Sequence, residues 1–213
     1  RADIELHNET RGLLRKLYAL REDHPPPLAG DEALEISLAA TVLPKEEANR
    51  LLREAIDEIE ARPEPDTDGP RILVTGSLID HPPLIRMIEE EGGLVVADDL
   101  CSTTRYFWTD VQREGEPLED IWRFLNRRPQ CACMHPAEAR TEHLLSLVDH
   151  FDVDAVVDFT LKYCHPFLYE AGLLQAELEG REIPTTVLEV GHDMSGHGQL
   201  RTRIQAFVEM LDL

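Results

Sequence analysis

The stretch Ile72-Leu-Val-Thr-Gly76 decides how this chain is read: four residues that suit a buried strand, closed by a glycine. Three more runs of the same kind come later, Leu94-Val-Val-Ala-Asp98, Ala155-Val-Val-Asp-Phe159 and Thr185-Thr-Val-Leu-Glu-Val190. Their near-continuous apolar character is that of parallel strands covered on both faces. Between and after them the spacing becomes helical: Leu118, Ile121, Trp122 and Leu125; then Leu144, Leu147, Val148 and Phe151; then Leu200, Ile204, Phe207, Val208 and Leu211. Each set predicts a helix with one face to bury against a sheet. Strand and helix in alternation predict an α/β fold, a flavodoxin-like doubly wound parallel sheet over residues 71–213, with ligands expected beyond the carboxyl ends of the strands.

Upstream of Arg71 the pattern is helical. Leu6, Thr10, Leu13, Leu17 and Leu20 predict one apolar stripe, and Leu52, Ala55, Ile56 and Ile59 another, so residues 1–62 read as a helical segment. The proline-rich connector His24–Gly30 separates the two stripes, and Ala61–Pro70 is the best internal boundary.

Composition narrows the function classes. Lys and Arg total 21 against 42 Asp and Glu, a formal net charge of -21, which opposes nucleic acid and anionic membranes as partners. No run approaches a bilayer span, and the charged start lacks the apolar middle of an export signal, so a cytoplasmic protein is expected. Four cysteines, Cys101, Cys131, Cys133 and Cys164, are then read as thiols or metal ligands in preference to disulfides.

The strand ends hold the candidate chemistry. Cys164, in Leu161-Lys-Tyr-Cys-His-Pro166, comes after a strand and opens a helix, where the dipole favours an anionic ligand such as a thiolate; a buried, inert cysteine is an equal alternative. Cys131, Cys133 and His135 form a close-spaced CACMH set that suits a soft metal, but it lacks the second pair of a structural zinc site, so packing is the stronger reading. Asp98 and Asp99 are adjacent on a strand and point to opposite faces, which argues against a paired acid and base. Arg105 is a candidate anion contact. The glycine-rich segment Gly191–Arg203, with Gly198, Gln199, Arg201 and Arg203, has the composition of an anion cradle, with a helix-capping connector as the plain alternative.

Taken in order, Ile4–Glu22, Pro25–Leu34, Gly76–Phe107, Cys131–Glu138, Leu161–Val190 and Gly198–Leu211 resemble the large subunits of 2-hydroxyacyl-CoA dehydratases and ATP-dependent benzoyl-CoA reductases, over nearly the whole chain. The resemblance implies an iron–sulfur enzyme of anaerobic metabolism. Each such subunit holds a [4Fe-4S] cluster through three cysteines between two α/β domains. Two of those cysteines lie in an N-terminal domain absent from these residues; the third falls in a motif that Leu161-Lys-Tyr-Cys164 matches, so the resemblance gives Cys164 the ligand role and predicts no cluster bound to this chain alone. It further implies a homologous second large subunit as heterodimer partner, an ATP-dependent activator iron–sulfur protein that delivers single electrons, and an acyl-CoA substrate. Gly198, Gln199, Arg201 and Arg203 are then the candidate contacts to CoA. The alternatives are a non-catalytic α/β binding module with no redox centre and, more weakly, a zinc protein using CACMH.

Overall fold

The computed structural model describes residues 1–63, 65–129, 131–134, 138–191 and 197–211. Three helices, α1 (Ala2–Ala19), α2 (Gly30–Val42) and α3 (Lys45–Glu60), precede β1 (Arg71–Gly76), α4 (Pro82–Glu90), β2 (Leu94–Asp99) and the short α5 (Thr104–Phe107). Then come α6 (Pro117–Arg127), α7 (Glu138–His150), β3 (Ala155–Leu161), α8 (His165–Glu179), β4 (Thr185–Val190) and α9 (His197–Leu211). The sheet is parallel throughout in the order β2-β1-β3-β4, so the α/β expectation holds.

Alternation along β1 explains the two layers. Ile72 and Val74 pack with Ile85 and Ile88 of α4 and with Ile204 and Val208 of α9 on one face. Leu73 packs with Leu144 and Val148 of α7, Leu174 and Leu178 of α8, Leu14 and Leu17 of α1, and Ile56 of α3 on the other. The chain therefore winds outward in both directions from β1 and β3, and all six residues of β1 are buried. Each fully buried Val, Leu or Ile contributes roughly 1.5–3 kcal/mol of transfer free energy.

Gly76 ends β1 at φ +135°, and a Cβ there would lie 2.0 Å from the Phe159 carbonyl oxygen. The glycine thus lets the carboxyl ends of β1 and β3 close together, with Ser77 N–H donating to the same Phe159 oxygen at 3.0 Å.

Two expectations are corrected. The apolar face of α1 is rotated from the stripe read in the sequence: Ile4, Thr10, Arg11, Leu14, Leu17 and Tyr18 are buried, while Leu6 and Leu13 are half-buried. Arg11, a charged residue buried on that face, hides it from a hydrophobicity count. In α6 the expected inner face points outward: Leu118 is 81% and Trp122 66% exposed, and the helix is instead anchored by Phe124 against Ile4 and Val111. The anchoring is polar as well as apolar, because the Asp120 carboxylate accepts the Gly115 N–H and Arg11 stacks over the Phe124 ring at 4.6 Å.

Candidate functional site at the carboxyl edge of the sheet

The carboxyl ends of β2, β1 and β3 stand side by side, and the strand order places the segment that leaves each of them. Cys101 comes two residues after β2 and Cys164 three residues after β3, so the two flank the end of β1. Cys131 and Cys133 lie in the segment before α7, which runs back along the sheet and therefore starts at the same edge. A turn closes there, with the Met134 N–H donating to the Cys131 carbonyl at 2.8 Å. The Cys133 thiol is pushed up from its ordinary pKa, first by a hydrogen bond to Cys131, then by desolvation and by the neighbouring sulfurs of Cys131, Cys164 and Cys101. All four thiols are free. In the sequence they are spread over three blocks; the fold gathers them.

Local geometry explains the posture of Cys164. Leu161 ends β3, Tyr163 adopts φ +69°, and the Cys164 N–H returns to the Leu161 carbonyl at 3.0 Å, so the chain reverses in one tight turn. Cys164 is the N-cap of α8 and its own carbonyl accepts the Leu168 N–H at 3.0 Å. The Cys164 side chain is half-buried, while Tyr163 and Tyr169 beside it are more than 80% exposed.

Beneath the thiols lies a buried charged network. Asp99, fully buried at the end of β2, meets Arg105 Nε at 2.9 Å and Arg140 Nε at 3.3 Å, and accepts from the Thr75 hydroxyl at 2.9 Å. Burial pushes its carboxyl upward, but the two guanidiniums, His143 and Thr75 outweigh that and hold it below the usual carboxylate range. Arg140 also donates to Thr75 Oγ1 at 2.9 Å and to Glu170 of α8; desolvation opposes its charge, but Asp99 and Glu170 raise its pKa overall. His143 sits with Nε2 3.9 Å from Asp99, yet burial outweighs that attraction and lowers its pKa. Arg105 and Arg140 both stack on Phe167, at 5.6 and 4.9 Å, in the first turn of α8. The network therefore fixes where α8, and Cys164 at its start, sit relative to the sheet.

Arg105 is not the free anion contact that the sequence suggested. It is 4% exposed, donates to the backbone carbonyls of Gly76 and Asp99, and turns Nη1 toward Cys101 Sγ at 3.8 Å. Asp98 is held separately, accepting from Tyr18 at 2.7 Å and Arg21 at 3.0 Å, so the two adjacent carboxylates serve different partners, as their alternation along the strand required. Tyr18, Arg21, Arg140, His143 and Glu170 escaped the sequence reading, because each is a polar residue on an otherwise apolar helix face whose partner is remote in the chain.

At the start of α9, Gly198 has open space where a Cβ would stand, and Gln199 is exposed. Arg201 is ion-paired with Glu90 and Glu91, and Arg203 donates to the Val187 carbonyl at 2.9 Å. His135 and residues 192–196 of the glycine-rich segment lie outside the described residues. A surface depression at the opposite, amino edge of the sheet is lined by Asp68, Asp154 and Met210 among others, away from the candidate residues.

The donor set is soft and thiol-rich, which fits iron or zinc. Among the described residues, however, no three His, Cys, Asp or Glu side chains already stand at the spacing of a metal's ligands.

Fold and edge thus describe a doubly wound α/β protein with thiols collected at its carboxyl edge. Residues 1–211 match the 2-hydroxyglutaryl-CoA dehydratase, D-component family, and the chain belongs to it. It is 32% identical over 221 residues to the putative dehydratase subunit YjiM of Escherichia coli K12 and 28% identical over 210 residues to the lactoyl-CoA dehydratase subunit beta of Anaerotignum propionicum; each match covers 98% of this chain. It is 26% identical over 221 residues to a benzoyl-CoA reductase subunit of Thauera aromatica, covering all of this chain. In each case the match spans 56% of the relative, so the chain accounts for little more than half the length of the relatives it matches. Among the described residues no helix is long and apolar enough to cross a membrane.

Proposed function

We propose that this chain forms part of an iron–sulfur radical enzyme acting on a CoA thioester, by dehydration of a 2-hydroxyacyl-CoA or by reduction of a benzoyl-CoA-type ring. In this reading residues 1–62 are its helical segment, residues 71–213 its C-terminal α/β domain, and the enzyme works in the cytoplasm with a homologous second large subunit. The observation that carries the proposal is Cys164: a half-buried thiol at the amino end of α8, three residues after β3 at the carboxyl edge of the sheet, in a chain whose relatives include dehydratase and reductase subunits.

A [4Fe-4S] cluster held in part by Cys164 would supply single electrons to the thioester, recharged by an ATP-dependent activator. The chain's own residues have other tasks. The Asp99–Arg105–Arg140–Glu170 network sets the position of α8 and hence of the Cys164 sulfur. Gly198 and Gln199, at the start of α9, and Arg201 and Arg203 in its first turns offer a site for CoA phosphates. There Arg201 would exchange its carboxylate partners Glu90 and Glu91 for the ligand. By itself the chain would hold no cluster, because such a cluster needs several thiolates and Cys164 supplies one.

Iron and acid-labile sulfide measured on an upstream-extended protein, purified anaerobically with its second subunit, test the proposal. About four irons per subunit, lost or reduced in Cys164→Ser, are expected. Iron absent from both proteins would sink the radical-enzyme reading and favour a binding module.

A further inference from the structure

Helix α6 turns its apolar residues away from the rest of the chain. Leu118, Ile121, Trp122 and Leu125 recur at the spacing of one helix face, and all four are exposed. The helix cannot roll to hide them, because its inner face is already committed. Phe124 packs on Ile4 and Val111 with the Arg11 guanidinium over its ring, and the buried Asp120 carboxylate accepts the Gly115 N–H at 3.1 Å. A continuous apolar stripe left on a protein surface in this way marks a place that another element covers.

The surroundings of α6 say which element. The segment that leads into it is tied to the start of α1: Arg1 donates to the Gly115 carbonyl at 3.0 Å, and Glu5 pairs with Arg113. The Asn8 amide donates to the Val111 carbonyl at 2.9 Å and accepts the Val111 N–H at 3.0 Å. A residue preceding Arg1 therefore leaves the fold beside the first turn of α6, where Leu118 stands. The relatives are longer than the stretch that matches this chain, which spans 56% of each, so their remaining length lies ahead of that stretch or after it. At the other end of this chain Leu211 packs in the layer of α4 and α9, on the opposite face of the sheet from α1, so length added there starts on the far side from α6. A second copy of this chain is opposed as the cover, because each copy carries a formal charge of -21.

We propose that the part of the polypeptide upstream of Arg1 folds back on α6 and buries the stripe of Leu118, Ile121, Trp122 and Leu125. It brings apolar side chains to the stripe and a carboxylate to Arg127, which is exposed at the end of the helix and has no ion pair among the described residues. The inference rests on the reading that the protein continues upstream. Because α6 leads into the segment of Cys131 at the carboxyl edge, the seam along it orients the upstream part toward that edge.

Hydroxyl-radical footprinting with peptide mapping tests this, with the exposed Met210 as internal reference. Trp122 should oxidise readily in the 213-residue chain. In the upstream-extended protein, without a second subunit, its oxidation should fall severalfold. Leu118→Ser/Trp122→Ser should leave thermal unfolding of the shorter chain unchanged and destabilise the extended protein. Footprinting uses the parent sequences, so it decides even where that variant fails to fold. Equal Trp122 oxidation in the two proteins, protection that appears only when the second subunit is added, or protection of the shorter chain that grows with its concentration would each overturn the proposal. No readout needs iron or turnover: a protected Trp122 in an iron-free protein would keep this inference while sinking the radical-enzyme reading, and an exposed Trp122 in an iron-loaded protein would do the reverse.

Discussion

Replacing Arg140 by Met tests whether the buried network holds α8 in place. The guanidinium is almost wholly buried and joins three elements: α8 through Glu170, β1 through Thr75 and β2 through Asp99. Its removal leaves Asp99 with Arg105 but leaves the Glu170 carboxylate, itself only 7% exposed, without its cation. Breaking a buried pair from one side costs about 3–5 kcal/mol, most of it the uncompensated charge that remains. Arg140→Met should therefore lower stability by that amount. Arg140→Met/Glu170→Met should recover about 2 kcal/mol of it, because the orphaned carboxylate is gone and methionine fills the space. Urea unfolding followed by fluorescence and circular dichroism gives both numbers, and the alkylation rate of Cys164 in the folded single variant reports whether the start of α8 has loosened. A single-variant loss below about 1 kcal/mol, the range of an exposed ion pair, or a double variant less stable than the single, would refute the reasoning.

Acidification gives a second test. His143 has a lowered folded pKa, so its contribution to stability is complete above the ordinary histidine value and is lost as pH falls from there toward the folded value; His7 has the same sign. Asp99, also lowered, loses its contribution further down, through the carboxylate range, while Asp158 and Glu89, raised by burial, act in the opposite direction. Subtracting the stability profile of His143→Phe from the parent's should leave a component that declines below about pH 6.5; a flat difference would contradict it. Gly76→Ala should cost more than about 3 kcal/mol or prevent folding, since the methyl meets the Phe159 carbonyl at a positive φ; a near-parental melting temperature would show that the strand ends can part. Trp122→Ser should change stability by no more than about 0.5 kcal/mol, whereas Phe124→Ala should cost about 3 kcal/mol; the reverse order in thermal unfolding would restore the inward face first read for α6.

The strands were legible because burial on both faces leaves uninterrupted apolar runs such as Ile72–Val74 and Ala155–Val157. The carboxyl edge came from their order, and Cys164 from its place after one of them. The placing of Cys131 and Cys133 at the same edge as Cys164 was not legible, because it depends on α7 running back along the sheet from a loop whose own sequence has no period. Arg21 and Arg140 were hidden for a related reason: each reads as a solvent-facing charge until Asp98 or Asp99 arrives from a distant strand. In α6 the period was right and the side was wrong, since amphipathicity locates an apolar face but not what covers it.

Chemistry on a CoA thioester is the central claim. Its most direct test is turnover by the upstream-extended protein with its second subunit, an ATP-hydrolysing activator and a strong reductant, offered 2-hydroxyacyl-CoA and aromatic acyl-CoA in parallel. ATP-dependent conversion of one of the two, abolished in Cys164→Ser while the fold is retained, is the expected result. Conversion that survives Cys164→Ser, or an iron-loaded complex that converts neither class, would contradict it.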